Sequence, residues 1–256
     1  MHDGAQYLDL ALEMADIADA ITMARFRAHD LEVTTKPDLT PVSEADQAVE
    51  RAMLERLAEL PDHSVMGEEY GTREGTSAYR WIVDPIDGTK NYVRGVPIWA
   101  TLLGLEHAGD LVLGVVSAPA LHTRWWAARG EGAFRNGHSI RVSSVRDLAD
   151  AQVSFAWDSS ERFHTNQIGE RMLALSHQSW RTRGIGDFWQ HMLVAEGAFD
   201  VAIDPIVALW DIAAIVPIIE EAGGRWSTID GRTDERDSFV CTNSRLHDAV
   251  IEILHP

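Results

Sequence analysis

The sequence predicts an α/β chain built as two packed halves, and three observations lead there. Two amphipathic helical stretches open the chain, with apolar residues three and four apart. A run of short apolar or alternating segments follows between residues 81 and 128, punctuated by turn-forming residues, as strands are. From about residue 145 strand-like and helix-like segments alternate to the end. No Gly/Ser-rich joint interrupts the chain, so the expected division is 1–145 and 146–256, two subdomains of one domain.

The first helix is expected from about Ala5 to Ala28, with Tyr7, Leu10, Ala11, Met14, Ile17, Ala18 and Ile21 on its packing face. Two prolines in KPDLTPVSEAD (Lys36 to Asp46) enforce an extended, turning path. Ser43 then starts a second helix, and Asp46 three residues on completes a capping pattern. In SVMGEEY a short strand ends at Gly67 and delivers Glu68 and Glu69. In WIVDPIDGTKNY the buried strand Trp81-Ile82-Val83 is expected to end at Asp84, because Pro85 cannot continue a ladder. Asp87 follows three residues later, and Gly88-Thr89 closes the turn.

Strands are expected over 98–106, 111–118 and 123–128, and a hairpin or tight turn over Gly130 to Gly137. Trp125 and Trp126 point to opposite faces, one into the core and the other toward core or a dimer contact. Later come a strand at QVSFAW, a helix over roughly 161–177, a strand at SWRTR, a helix from Asp187 and a strand at VAID. A helix from Trp210 to Ala222, kinked by Pro217, stops at Gly223-Gly224. Strands near 225–228 and 239–242 and a short helix complete the chain.

Composition excludes several functions. A formal net charge of −18 argues against binding a phosphate backbone. No apolar run approaches the roughly 20 residues that cross a bilayer, and the acidic, amphipathic start is no signal peptide. The single Cys241 excludes an internal disulfide or a Cys-rich zinc site and fits a reducing cytoplasm. The histidines show no H-x-x-x-H or H-x-H pair, and there is no P-loop. No Arg stands six residues after Cys241, as a cysteine phosphatase needs, and the three-residue spacing of Asp84 and Asp87 disfavours an aspartyl-phosphate mechanism.

What recurs at strand ends and helix starts is a hard oxygen donor: Asp46, Glu68, Asp84, Asp87 and Asp211. Mg²⁺ wants such ligands, and an acidic cleft becomes phosphate-attracting once cations occupy it. Each acid also has an ordinary use; Asp46 and Asp211 sit where carboxylates cap helices. The only two lysines, Lys36 and Lys90, both fall within these motif-bearing stretches.

Taken together, GEE (67–69), WIVDPIDGTKNY (81–92) and WDIAA…EAGG (210–224), with KPDLTPVSEAD ahead of them, resemble the inositol monophosphatase family. The resemblance implies a layered αβαβα sandwich, Mg²⁺-dependent hydrolysis of a small phosphorylated metabolite, a homodimer and lithium inhibition. It implies that Asp84 is shared by two Mg²⁺ ions, with Glu68 and the Ile86 carbonyl on the first and Asp87 and Asp211 on the second. Glu69 is a candidate for a third ion. Thr89, held by Asp46, resembles the pair that orients the attacking water, and the amides of Gly88 and Thr89 would hold the phosphate. Gly186-Asp187, His191, Ala195-Glu196-Gly197 and Asp204-Pro205 look like the histidinol-phosphate phosphatase branch, with an inositol-1-phosphate or general sugar-phosphate phosphatase as the alternative. A substrate carrying an ammonium and an imidazole favours flanking carboxylates. Asp187 and Asp204 are the candidates for that contact, with Arg183 nearby.

Overall fold

The computed structural model describes residues 4–37, 39–157 and 167–255. Helices α1 (Leu8–Arg25) and α2 (Glu44–Arg56) open the chain, joined by a hairpin of β1 (Val33–Thr35) and β2 (Pro41–Ser43). Ser43 and Asp46 form the anticipated capping box at the start of α2.

An eight-stranded sheet follows. Its strands are β3 (Ser64–Gly67), β4 (Gly71–Arg73), β5 (Tyr79–Asp87), β6 (Ala100–His107), β7 (Asp110–Ala118), β8 (Thr123–Ala128), β9 (Gly132–Arg135) and β10 (His138–Ser139), in spatial order β10-β9-β8-β7-β6-β5-β3-β4. Only β3 and β5 run parallel; the other pairs are antiparallel. Helix α3 (Thr89–Val93) hangs from the end of β5.

A second sheet of five strands has the order β12-β11-β13-β15-β14, from β11 (Gln152–Phe155), β12 (Arg181–Arg183), β13 (Val201–Asp204), β14 (Arg225–Ser227) and β15 (Phe239–Thr242). Among its strands lie α4 (Ile168–Gln178), α5 (Asp187–Ala195), α6 (Leu209–Ile212) and α7 (Ile215–Glu221), and α8 (His247–Leu254) closes the chain. The expected 161–177 helix is seen as α4; its first residues lie outside those described.

Three apolar cores stack these elements into five layers. Met14, Ala18, Val49 and Met53 of α1 and α2 pack on Trp81, Val83, Leu103 and Leu105 of the large sheet. The opposite face of that sheet, with Ile82, Leu102 and Trp125, meets Phe188 and Met192 of α5 and Ile212 to Ile219 of α6 and α7. Ala202, Phe239 and Cys241 of the small sheet close that core from its other side. Val153, Val201, Ile203 and Val240 then pack outward against Met172 and Leu175 of α4 and Val250 and Leu254 of α8. The αβαβα sandwich follows, with period-2 alternation deciding which core each strand residue joins.

Two expectations need correction. The strand carrying Asp84 runs on to Asp87, because the ladder absorbs Pro85 in a bulge between Asp84↔Leu102 and Asp87↔Ala100. Thr101 Oγ1 donates to the Pro85 carbonyl at 2.8 Å, so the bulge keeps a partner. The helix expected over 210–222 is two helices, α6 and α7, separated at Ala213-Ala214. Pro217 disrupts the carbonyl four residues back, which is Ala213, and the chain turns there. In the first turn of α7 the missing proline N–H is no loss. Trp126 packs within the chain, stacked on Phe134 with centroids 5.9 Å apart.

Candidate active site

Alternation along β5 puts Asp84 on the same face as Ile82, toward the middle helical layer. The bulge then turns Asp87 toward α5, where its Oδ2 accepts the Phe188 amide at 2.6 Å. The first turn of α6 supplies Asp211, its Oδ2 accepting the Ala208 amide at 2.7 Å. Carboxylate oxygens of Asp84, Asp87 and Asp211 lie within 4.8 Å of one another.

These three line a cleft of about 760 Å³ together with Glu68, Ile86, Gly88, Thr89 and Asp187. Gly88 makes the turn at φ +80°, and a Cβ there would stand 3.0 Å from the Ile98 carbonyl oxygen. Beneath the cleft, Asp46 is fully buried; its Oδ2 accepts the Ser43 amide at 2.8 Å and the Ser43 hydroxyl at 2.6 Å. Its Oδ1 faces the Thr89 hydroxyl at 3.3 Å, and that hydroxyl also lies 2.9 Å from the Ile86 carbonyl. Helix capping and positioning of Thr89 are therefore one arrangement.

Charge is concentrated here. Burial first, then the charges of Glu68, Asp87, Asp211 and Asp46, pushes the Asp84 carboxyl well above the usual carboxylate range. Asp87 is raised by burial and by Asp187, Asp211 and Asp204, against the Phe188 amide. Asp211 is pushed up to about 6, mainly by burial. Asp84 Oδ1 is buried and has no hydrogen-bond partner among the described residues. An unsatisfied buried oxygen costs about 1–3 kcal/mol and more when charged, so the arrangement calls for a cation. All-oxygen donors fit Mg²⁺, and Asp84, Asp87 and Asp211 could hold one, with Glu68 in reach of the same cleft.

Glu68 and Glu69 share a different cation. Lys36 Nζ stands 2.8 Å from Glu68 Oε1 and 2.6 Å from Glu69 Oε1. Burial opposes its charge, but the two carboxylates outweigh it and raise the Lys36 pKa. Of the three candidates for the leaving group's contact, Asp187, Asp204 and Arg183, only Asp187 lines the cleft; its Oδ2 accepts from Asn91 Nδ2 at 2.8 Å. Arg183 is exposed and turned back on the Thr182 carbonyl at 2.7 Å, outside the lining. Asp204, at the end of β13, is also outside the lining, although its charge adds to those around Asp87.

Sequence reasoning missed Lys36 as the counter-ion of Glu68 and Glu69, although the scarcity of lysines marked it. It also missed Glu50, 1% exposed, which accepts the amides of Glu69 at 2.7 Å and Tyr70 at 2.8 Å and thereby shapes the acidic turn. The signal was faint: Glu50 follows Asp46 by four residues, one turn along the same helix face. A Cβ on Gly67 would come 1.9 Å from Glu50 Oε1, so that glycine is what admits the carboxylate.

Fold and cleft together define an αβαβα protein with a cluster of three carboxylates, from the end of β5 and the start of α6, that could hold a divalent cation. Residues 3–256 match the sequence profile of the inositol monophosphatase family, and the chain belongs to that family. It is 48% identical over 255 residues to a histidinol-phosphatase of Mycobacterium tuberculosis, covering 97% of each chain. It is 47% identical over 266 residues to a histidinol-phosphatase of Streptomyces coelicolor, covering 100% of this chain and 99% of that one. Among solved structures it resembles the extragenic suppressor protein suhB of Bartonella henselae, with TM-score 0.91, 26% identity and 98% and 99% coverage. It also resembles an IMPase/NADP phosphatase complexed with Mg²⁺ and phosphate, with TM-score 0.83, 26% identity and 98% and 95% coverage.

Proposed function

We propose that this chain is a Mg²⁺-dependent phosphate monoester hydrolase that converts histidinol phosphate to histidinol and inorganic phosphate, a step of histidine biosynthesis. The observation that carries the chemistry is the trio Asp84, Asp87 and Asp211 within 4.8 Å, beside the Thr89–Asp46 pair. The two histidinol-phosphatases at 48% and 47% identity over nearly the whole chain support the substrate.

On this reading Glu68, Asp84, the Ile86 carbonyl, Asp87 and Asp211 would hold the Mg²⁺ ions. Bound there, the ions supply an acidified water and a counter-charge for the leaving oxygen. The protein's own groups do the rest. Thr89 accepts a hydrogen bond from the attacking water while its hydroxyl proton points to Asp46 Oδ1, whose other oxygen Ser43 already engages. That orients the water without a covalent intermediate on the protein. The amides of Gly88 and Thr89, at the start of α3, take the phosphate oxygens. Lys36 holds Glu68 and Glu69 in place from behind, and Glu69 remains the candidate for a further, weaker ion. We place the enzyme in the cytoplasm as a homodimer, which gel filtration tests.

The direct test is kcat/KM on histidinol phosphate and inositol 1-phosphate, side by side, with Mg²⁺ and with chelator. A preference of at least about tenfold for histidinol phosphate, abolished by chelator, is expected; tenfold is only ~1.4 kcal/mol, within reach of a single charged contact. A preference for inositol phosphate overturns the substrate, and turnover indifferent to chelator overturns the site.

A further inference from the structure

Trp157 is a large apolar side chain left 59% exposed, and it stands on the wall of the active-site cleft. Its indole is fixed edge-on to Phe155, with centroids 5.9 Å apart. It also lies over Gly184, where an added Cβ would touch the ring at 3.4 Å. Gly184, Ile185, Gly186 and Asp187 follow along the same wall. Gly184 and Asp187 are three residues apart, at most about 10 Å of chain, so the residue beneath the indole and the one bearing the carboxylate belong to one short stretch of wall. At its other end Asp187 meets the turn that takes the phosphate: its Oδ2 is 3.4 Å from a Cβ built on Gly88. The cleft wall therefore carries the Gly88-Thr89 turn, the Asp187 carboxylate beside it, and an aromatic face. Once ions engage Glu68, Asp84, Asp87 and Asp211, Asp187 is the carboxylate left over in the lining.

Resting on the phosphatase reading above, we propose that this wall reads the leaving group. Asp187 takes an ammonium on the second carbon from the ester oxygen, and Trp157 takes a flat cationic or neutral ring two carbons beyond it. Histidinol phosphate carries its groups in that order. Inositol phosphate, with neither ammonium nor ring, makes neither contact. Asn91, bonded to Asp187, fixes the carboxylate's aim. Trp157 is thus a specificity residue, acting by stacking and cation–π attraction.

Three substrates separate the contributions: histidinol phosphate (ammonium and ring), phosphoethanolamine (ammonium, no ring) and glycerol 2-phosphate (neither). Trp157→Ala is expected to lower the ratio of kcat/KM for histidinol phosphate to that for phosphoethanolamine about tenfold, and Trp157→Phe to keep most of it. Asp187→Asn is expected to lower both amines relative to glycerol 2-phosphate. If the wild type prefers histidinol phosphate over inositol 1-phosphate but Trp157→Ala leaves the first ratio unchanged, the ring assignment is overturned while the phosphatase reading stands. If the wild type shows no such preference, the ring assignment and the histidinol phosphate substrate fall together, while Mg²⁺-dependent phosphatase activity is judged by the chelator alone.

Discussion

Asp84 holds a carboxylate oxygen in a buried place where no described protein group satisfies it, between two other acids. Such a residue destabilises the empty protein and is worth keeping only for what it binds. Asp84→Asn is expected to lower kcat at least about a thousandfold, ~4 kcal/mol, through loss of a charge proposed to hold the cation. The chelated variant should melt no lower than chelated wild type, because a mutual repulsion has gone; a variant with near-normal kcat contradicts that role. Titration gives a second check. The Asp211 carboxyl binds its proton more tightly in the folded state, up to about 6 against an ordinary 3.8. Between those values the folded state holds more protons than the unfolded one, so stability falls as pH rises through that window. The contribution is on the order of 3 kcal/mol from this residue, and Asp84 and Asp87 act in the same direction. Metal-free protein should therefore melt higher at pH 5 than at pH 7.5, and Mg²⁺ at pH 7.5 should restore the loss. A chelated protein whose Tm climbs over that range contradicts the charge reading.

At the level of elements, the site depends on two irregularities: the bulge in β5 and the break between α6 and α7. The break rests on the large sheet where Gly104 and Gly114 stand opposite each other. A Cβ on Gly104 would come 2.7 Å from Ala213 Cβ, and one on Gly114 would come 1.9 Å from the Ala214 carbonyl oxygen. Gly104→Ala is expected to cost about 1–3 kcal/mol and to displace the helix that carries Asp211. A lower Tm together with weaker Mg²⁺ binding by calorimetry checks this; weaker stability with unaltered Mg²⁺ affinity contradicts the coupling. Here the limits of sequence reading are physical. Helices and strands were legible because their periodicity is local: α1, α2, β6 to β8 and β13 fall where apolar spacing puts them. The bulge was not, since Pro85 forbids a ladder bond but cannot say that Asp87 rejoins the ladder across Ala100. Nor was the break: Pro217 announces a disturbance, but its place depends on the sheet packed against Ala213.

For the whole molecule, the same contrast between local and distant information holds. Asp84, Asp87, Glu68, Asp211 and the Thr89–Asp46 pair were legible as motifs, and the fold brings all of them to one cleft or directly beneath it. Arg183 and Asp204 were not separable from Asp187 by sequence, because side-chain direction at the ends of β12 and β13 is set by the neighbours across the small sheet. Trp157 carried no motif at all. Across the described residues no helix is long and apolar enough to cross a membrane. The charge of −18 gains a use, since a cleft that repels phosphate when empty admits it when cations are bound, coupling substrate entry to metal occupancy. The most direct measurement is crystallographic: a crystal soaked in Mn²⁺, examined by anomalous scattering. An anomalous peak about 2.0–2.3 Å from carboxylate oxygens of Asp84, Asp87 and Asp211 is expected. An enzyme that hydrolyses phosphate monoesters with Mn²⁺ yet shows no peak between those three residues contradicts the account.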